Sequence, residues 1–189
     1  MRIISGHFKG QKITQPKNRI TRPLKDLAKE SIFNILQHAN LENFKFEKSV
    51  ILDLFAGVGS FGLECISRGA KNVIFYENYP ETVNILKKNI NDLNCEKKSQ
   101  IIAEDIFKIK SLNSLHKKKF EVIFLDPPYK EKKLNSLLTN IVNLKLLKKN
   151  GIVILHRHKK ENEIYPEELK IYKIKTHGIS KIIFGLISY

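Results

Sequence analysis

The sequence has few of the residues that build disulfide frameworks or metal centres. Its 189 residues include two cysteines, Cys65 and Cys95, whose separation matches neither a metal-binding nor a redox motif. The six histidines show no ligand spacing either, so we predict that the protein has no metal site. Such sparse use of cysteine is typical of a reducing compartment.

Acidic residues are also scarce. Asp and Glu together number 19 against 34 Lys and Arg, which gives a net charge of +15 at pH 7 and favours a polyanionic partner. No apolar run is long enough to span a bilayer, and no leader-like apolar segment follows Met1. We therefore expect a cytoplasmic protein whose partner is a nucleic acid and not a membrane.

The length and the hydrophobic content of 42% allow one sizeable core. Within this chain we predict a basic N-terminal extension over residues 1–40 and an α/β domain over residues 41–189. The extension includes a predicted amphipathic helix that begins near Asp26, with Leu27 on its apolar face and Lys29 on its solvent face.

Residues 50–64 read V-I-L-D-L-F-A-G-V-G-S-F-G-L-E, a short apolar strand, a glycine loop and the start of a helix. This order opens a doubly wound α/β domain, whose ligand binds outside the carboxyl ends of the strands. Gly57, Gly59 and Gly62 match G-x-G-x-x-G. Alone, that match suggests a nicotinamide or flavin dinucleotide site, but it is a weak signal that a tight turn also explains.

Three carboxylates near strand ends refine the choice of cofactor. Asp53, four residues before the first glycine, would repel a pyrophosphate but suits a ligand that carries an ammonium and a sulfonium, such as S-adenosylmethionine. Glu77 ends the next apolar run, where it can accept hydrogen bonds from the ribose hydroxyls of either cofactor. Asp105 can accept from the adenine amino group while Ile106 packs on the ring, although an isolated Asp after a strand is often a helix cap. The other predicted cofactor contacts are Phe55, Ala56, Gly57, Gly59 and Asn78.

The most informative motif is Asp126-Pro127-Pro128-Tyr129, directly after the apolar run 120–125. Two prolines end a strand in a stiff corner, at the same rim as the glycine loop. If Asp126 and the Pro127 carbonyl accept hydrogen bonds from an exocyclic amino group, they fix that nitrogen with its lone pair aimed at a methyl donor. Tyr129 can stack on the base. These four residues are our predicted catalytic set.

The first 25 residues carry seven basic residues and no acid, interleaved with His7 and Phe8, which can stack on unpaired bases. Short apolar pieces separated by glycines predict a small hairpin here. We interpret the segment as an RNA-contacting arm rather than a solvated tail. Its predicted RNA-binding residues are Arg2, His7, Lys9, Lys12, Arg19, Arg22 and Lys25.

The motif series D-L-F-A-G-V-G-S-F-G-L-E, Y-E-N, A-E-D and L-D-P-P-Y resembles that of class I S-adenosylmethionine-dependent amino-methyltransferases. The stretches R-I-I-S-G-H-F-K-G-Q-K-I (2–13) and T-R-P-L-K-D-L-A-K-E-S-I-F-N-I-L (21–36) resemble the head of the bacterial 16S ribosomal RNA guanine-N2 methyltransferases that modify guanine 966. The family pattern has an acidic residue near 155–157, where this chain has His156 and Arg157. We interpret His156 and His158 as surface or substrate-side residues.

The resemblance implies a Rossmann-like class I methyltransferase with a seven-stranded, mostly parallel sheet, helices on both faces and an antiparallel seventh strand. It also implies methyl transfer to the N2 of one guanine in small-subunit ribosomal RNA, free or within a partly assembled 30S particle. We further expect a monomer that uses no metal. Two alternatives stay open: an amino-methyltransferase that acts on adenine N6 or cytosine N4, and a non-catalytic RNA-binding or ribosome-assembly module.

Overall fold

A computed structural model describes residues 1–16, 24, 26–38, 44–108, 112–115 and 117–188. Its strands are β1 (Val50–Leu54), β2 (Asn72–Tyr76), β3 (Ser99–Ile102), β4 (Phe120–Leu125), β5 (Leu147–His158), β6 (Leu169–His177) and β7 (Ser180–Ile187). Within the described residues, the α-helices include α1 (Asp26–His38), α2 (Ser60–Ser67), α3 (Pro80–Asp92) and α4 (Leu134–Asn143). Two short 3-10 turns, Phe46–Lys48 and Glu96–Lys98, precede β1 and β3.

The strands form one sheet in the order β3-β2-β1-β4-β5-β7-β6. The first five run parallel, and β7 lies antiparallel between β5 and β6. Central strands such as β1 and β4 are apolar along almost their whole length because both of their faces are covered. The predicted seven-stranded Rossmann-like architecture, with its antiparallel seventh strand, is confirmed.

One hydrophobic cluster lies on each face of the sheet. The first joins residues of the N-terminal segment, α1 and α2 to alternate residues of the strands, such as Phe124 and Ile154. The second joins α4 to the other residues of the same strands, such as Ile123 and Val153. Because successive side chains of a strand point to opposite faces of the sheet, strands such as β4 and β5 contribute to both hydrophobic clusters.

The first 13 residues form the predicted small hairpin. Arg2 and Lys12 face each other in an antiparallel bridge, and the Ile3 N–H donates to the Gln11 carbonyl at 2.9 Å. The hairpin packs on α2, where the Glu64 carboxylate accepts from the backbone N–H groups of Ile4 (2.8 Å) and Ser5 (3.0 Å). The division near residue 40 stays a prediction, and described residues on both sides of it contribute to the first cluster.

Helix α1 forms as predicted, but two residues lie on the opposite face from the one expected. Leu27 is 74% exposed, whereas the Lys29 side chain is fully buried, 3.6 Å from Glu64 Oε2. Lys29 Nζ donates to the Arg2 carbonyl at 2.8 Å, so this lysine ties the hairpin to α1 and α2. Burial lowers the pKa of Lys29, and the Glu64 carboxylate opposes that shift.

Within the described ranges, no helix combines the length and the apolar character that a bilayer crossing needs.

Candidate active site

A cavity of about 370 Å³ opens where β1, β2 and β4 end. Parallel neighbouring strands bring their carboxyl ends to one edge of the sheet, so residues far apart in sequence meet there. The predicted cofactor residues that line it are Asp53, Phe55, Ala56, Gly57, Glu77 and Asn78. All four residues of the proline motif, Asp126, Pro127, Pro128 and Tyr129, line the same cavity.

A second cavity of about 290 Å³ adjoins the first and contains the other predicted cofactor residues, Asp105 and Ile106. The two cavities share lining residues, among them Phe55 and Glu77. Asp105 Oδ1 accepts from the Phe107 N–H at 3.0 Å, a local turn of the kind that an Asp often caps. An elongated ligand could therefore extend past Glu77 from one cavity into the other.

Asp53 lies at the base of the larger cavity and is 1% exposed. Its Oδ2 accepts from the Gly62 N–H at 2.9 Å, while among the described residues no donor reaches Oδ1. Burial raises the pKa of Asp53 well above its ordinary value, and the nearby carboxylates of Asp126 and Glu77 raise it further. A cation in the cavity would satisfy this buried carboxylate, which is the property that the S-adenosylmethionine prediction requires.

Glu77 is oriented by two backbone donors. Its Oε2 accepts from the Gly57 N–H at 2.8 Å, and its Oε1 accepts from the Tyr79 N–H at 2.9 Å. Gly57 has a φ of +56° and open space where a Cβ would stand. The glycine loop is thus hydrogen-bonded to the Glu77 carboxylate, and the absence of a side chain at Gly57 leaves space next to the loop backbone.

Two other residues of the loop are explained by conformation and packing. Phe55 has a φ of 61°, which costs a non-glycine residue about 1–3 kcal/mol and is common at ligand-binding loops. Gly59 lines neither cavity, and a Cβ on it would lie 2.5 Å from the Leu86 Cδ1. Its predicted cofactor contact stays a prediction.

The carboxylate of Asp126 is positioned by the imidazole of His156. His156, at the end of β5, is 2% exposed, and its Nδ1 lies 2.8 Å from Asp126 Oδ1. At this length an ionised carboxylate accepts a hydrogen bond from the imidazole N–H. His156 is therefore not a surface residue, and its predicted place on the substrate side stays a prediction.

Arg157 fixes the backbone of the proline motif from the other face of β5. Its side chain is 1% exposed, and its Nε donates to Glu163 Oε1 at 2.5 Å. Its Nη1 donates to the Pro128 carbonyl at 2.8 Å, and its Nη2 donates to the carbonyls of Tyr129 (3.1 Å) and Glu131 (3.4 Å). One buried guanidinium thus spans the loop after Asp126 with its fork of donors.

The ring of Tyr129 is also positioned. Its hydroxyl lies 3.2 Å from Ser180 Oγ, and its ring meets His158 edge to face at 5.1 Å between centroids. The tip of the β6–β7 hairpin therefore contacts the residue that we predict to stack on the base.

A model of the family described as conserved hypothetical protein 95 matches residues 1–185 of this chain. The chain belongs to this family. It is 33% identical over 183 residues to ribosomal RNA small subunit methyltransferase D of Haemophilus influenzae, across 95% of this chain and 90% of that protein. It is 35% identical over 185 residues to YlbH of Bacillus subtilis, provisionally named an rRNA methyltransferase, across 96% of both chains. A solved structure, the H. influenzae protein HI0767 with a provisional methylase name, superposes with a TM-score of 0.74 at 30% identity, covering 97% of this chain and 96% of that one.

In this member of the conserved hypothetical protein 95 family, the predicted RNA-binding residues Arg2, His7, Lys9 and Lys12 are exposed on the hairpin. Arg19, Arg22 and Lys25 lie outside the described residues. Phe8, in contrast, is partly buried against the first cluster, so its packing role competes with base stacking.

Sequence reasoning missed several residues of the cavity in this family member. Met1, Gln15 and Leu24 line it, so the N-terminal segment forms part of its wall. The link from His156 to Asp126 was also missed. Its only signal in the sequence is that a parallel strand placed next to β4 must end beside Asp126.

Proposed function

We propose that this chain transfers a methyl group from S-adenosylmethionine to the exocyclic N2 amino group of one guanine in small-subunit ribosomal RNA. One observation carries the proposal: the carboxylates of Asp53 and Asp126, at the ends of the adjacent strands β1 and β4, line one cavity. The name of the H. influenzae relative, ribosomal RNA small subunit methyltransferase D, supports the substrate class.

The residues of the two cavities fit the cofactor. Asp53, with its unsatisfied buried oxygen, would hold the cationic methionine part together with the loop at Gly57. Glu77, already oriented by backbone donors, would accept from the ribose hydroxyls, and Asp105 with Ile106 would hold the adenine. When bound, S-adenosylmethionine supplies an electrophilic methyl group on its sulfonium sulfur.

The proline motif would hold the amino group. Asp126 keeps one oxygen on His156 and would accept from the NH₂ with the other, while the Pro127 carbonyl, which is not among the acceptors of Arg157, would take the second hydrogen. These two acceptors would aim the nitrogen lone pair at the methyl donor. The methylated nitrogen is acidic and releases its proton readily, so the site needs no strong general base.

The target base has to be unstacked to reach this cavity, with Tyr129 as its stacking platform. The exposed basic side chains of the N-terminal hairpin would contact phosphates and make binding sensitive to salt. We expect the protein to act as a monomer in the cytoplasm, on ribosomal RNA that is free or part of an incomplete 30S particle.

The test uses labelled S-adenosylmethionine and unmodified small-subunit particles, followed by digestion and mass spectrometry of the labelled nucleoside. Wild type should give N2-methylguanosine at one site. Asp126→Ala should lower the rate at least about 100-fold, a usual size for loss of a group that stabilises the transition state, and should keep its cofactor affinity. Asp92→Ala, the same change at an exposed acid of α3, is the matched control.

Each other outcome has a distinct meaning. Label in an adenine or cytosine product would keep the chemistry and refute the guanine assignment. Undiminished turnover by Asp126→Ala would refute the role of the proline motif. A protein that binds RNA but neither binds the cofactor nor transfers label would be a binding module.

A further inference from the structure

The hairpin of β6 and β7 closes the sheet at the far side from the N-terminal segment, and little of β6 serves the core. Of its residues, Leu169 alone is buried. Three large apolar side chains on it, Ile171 (39%), Tyr172 (48%) and Ile174 (54%), are substantially exposed. Burial in the core therefore does not account for the length of this edge strand, which has nine residues.

The charge of this hairpin is of one sign. From residue 169 to the last residue there are four lysines and no acid. The strand pairing places Lys173, Lys175 and His177 opposite Phe184, Ile182 and Ser180 of β7, which alternate along that strand. Cross-strand partners share a face of the sheet, so these three side chains form one row, here called the β6 basic row.

The β6 basic row lies on the same face of the sheet as the two histidines of β5 that contact the proline motif. In β5, His156 pairs with Ile182 and His158 pairs with Ser180, so both histidines share the face of the row. His156 contacts Asp126, and His158 contacts Tyr129. The row therefore leads across β7 toward the motif that we propose to hold the base.

The tip of the hairpin adds more positive charge next to Tyr129. Ser180 is bonded to the Tyr129 hydroxyl, and the Ile179 carbonyl accepts from the Lys159 N–H at 2.9 Å. Lys159 and Lys160 are exposed there, beside the 54% exposed side chain of Ile179. Lysines with adjoining apolar and aromatic side chains are the mixture that contacts phosphates and unpaired bases.

The N-terminal hairpin lies on the other side of the cavity. It is bonded to α2, which packs on β1 and β2, whereas β7 and β6 follow β5 beyond β4. We propose that the β6 basic row and the hairpin tip form a second RNA-binding surface, so that the substrate strand is held on both sides of the base-holding motif. The proposal rests on the proposed function for the identity of the RNA.

The test is equilibrium binding of unmodified small-subunit ribosomal RNA, transcribed in vitro, to wild type and to Lys173→Gln/Lys175→Gln at several salt concentrations. The control is Lys97→Gln/Lys98→Gln, which removes two exposed lysines from the amino end of β3 at the opposite edge of the sheet. If both row lysines contact phosphates, the negative slope of log affinity against log salt should become shallower by about 1.4. The affinity for RNA at 0.1 M salt should decrease roughly 25-fold. The control variant should behave like wild type.

Methyl transfer is measured on the same variants. The row variant should raise KM for RNA while cofactor affinity stays unchanged. The binding assay does not depend on turnover. An inactive wild type would therefore refute the proposed function, and the salt dependence of RNA binding would still test the second RNA-binding surface.

Two results would overturn the inference. One is a row variant whose RNA affinity and salt slope equal those of the control. The other is a row variant that binds RNA normally but self-associates in sedimentation experiments, which would mean that these lysines only guard the open edge of β6 against pairing.

Discussion

Removal of the Arg157 guanidinium offers a sharp test of how the proline motif is held. In Arg157→Met the aliphatic length is kept and every donor is lost. Glu163, whose side chain is 13% exposed, would lose its cation, and three loop carbonyls would lose a donor. Leaving one partner of a buried ion pair uncompensated costs about 3–5 kcal/mol.

The lower end of that range applies here, because the loop after Asp126 is accessible to water at Pro128 and Glu163 is not fully buried. We therefore expect the free energy of unfolding to fall by about 3 kcal/mol, a large part of the roughly 5–15 kcal/mol of an ordinary domain. Urea unfolding followed by circular dichroism measures it. Lys159→Met, the same kind of change at an exposed neighbour in sequence, should shift it by less than about 0.5 kcal/mol.

A second substitution separates the ion pair from the loop contacts. Adding Glu163→Gln to Arg157→Met removes the uncompensated charge and should restore part of the lost stability, with a coupling of about 0.5–3 kcal/mol. A loss below about 1 kcal/mol for Arg157→Met, or no coupling with Glu163→Gln, would refute the reasoning that this guanidinium is a principal restraint on the loop.

Two further predictions concern Asp53 and Gly62, whose backbone N–H donates to the Asp53 carboxylate. Burial raises the pKa of Asp53, so the contribution of this carboxyl group to stability is complete below its ordinary pKa near 3.8 and is lost as pH rises through the raised pKa. Asp53→Asn should therefore gain stability relative to wild type with rising pH. Unfolding of both proteins from pH 4 to 8 tests this, and a pH-independent difference contradicts it. The same substitution should lower the affinity for the cofactor. Gly62→Ala would place a Cβ 2.2 Å from the Phe75 ring and should lower the free energy of unfolding by about 1–3 kcal/mol, measured by thermal unfolding. In a Phe75→Leu background the loss should be smaller. Equal losses in both backgrounds would show that the clash with Phe75 is not the cause.

The meeting of Asp53, Glu77 and Asp126 was predictable from the sequence. Each ends or follows a short apolar strand, and the carboxyl ends of parallel strands lie along one edge. The closing hairpin was predictable for a similar reason, since two β-rich runs flank a short turn that contains Gly178. Such features depend on neighbours in sequence and on the general rules of α/β topology.

The inward position of Lys29 was not predictable from helical periodicity. A lysine normally belongs to the solvent face, and the carboxylate that makes its burial tolerable, Glu64, is 35 residues further along the chain. Periodicity reports the hydrophobicity of one helix and carries no information on the charges of the element that packs against it.

By itself the sequence determined the strand–loop–helix order, the acid at each strand end and the proline motif, because these follow from local propensity and chain order. The tertiary structure decided which side chains support them. His156 meets Asp126, and Arg157 meets the loop after it, only because β5 lies beside β4, and because successive residues of a strand point to opposite faces. Hydrogen bonds between side chains on different strands depend on the order and register of the sheet, which no local pattern specifies.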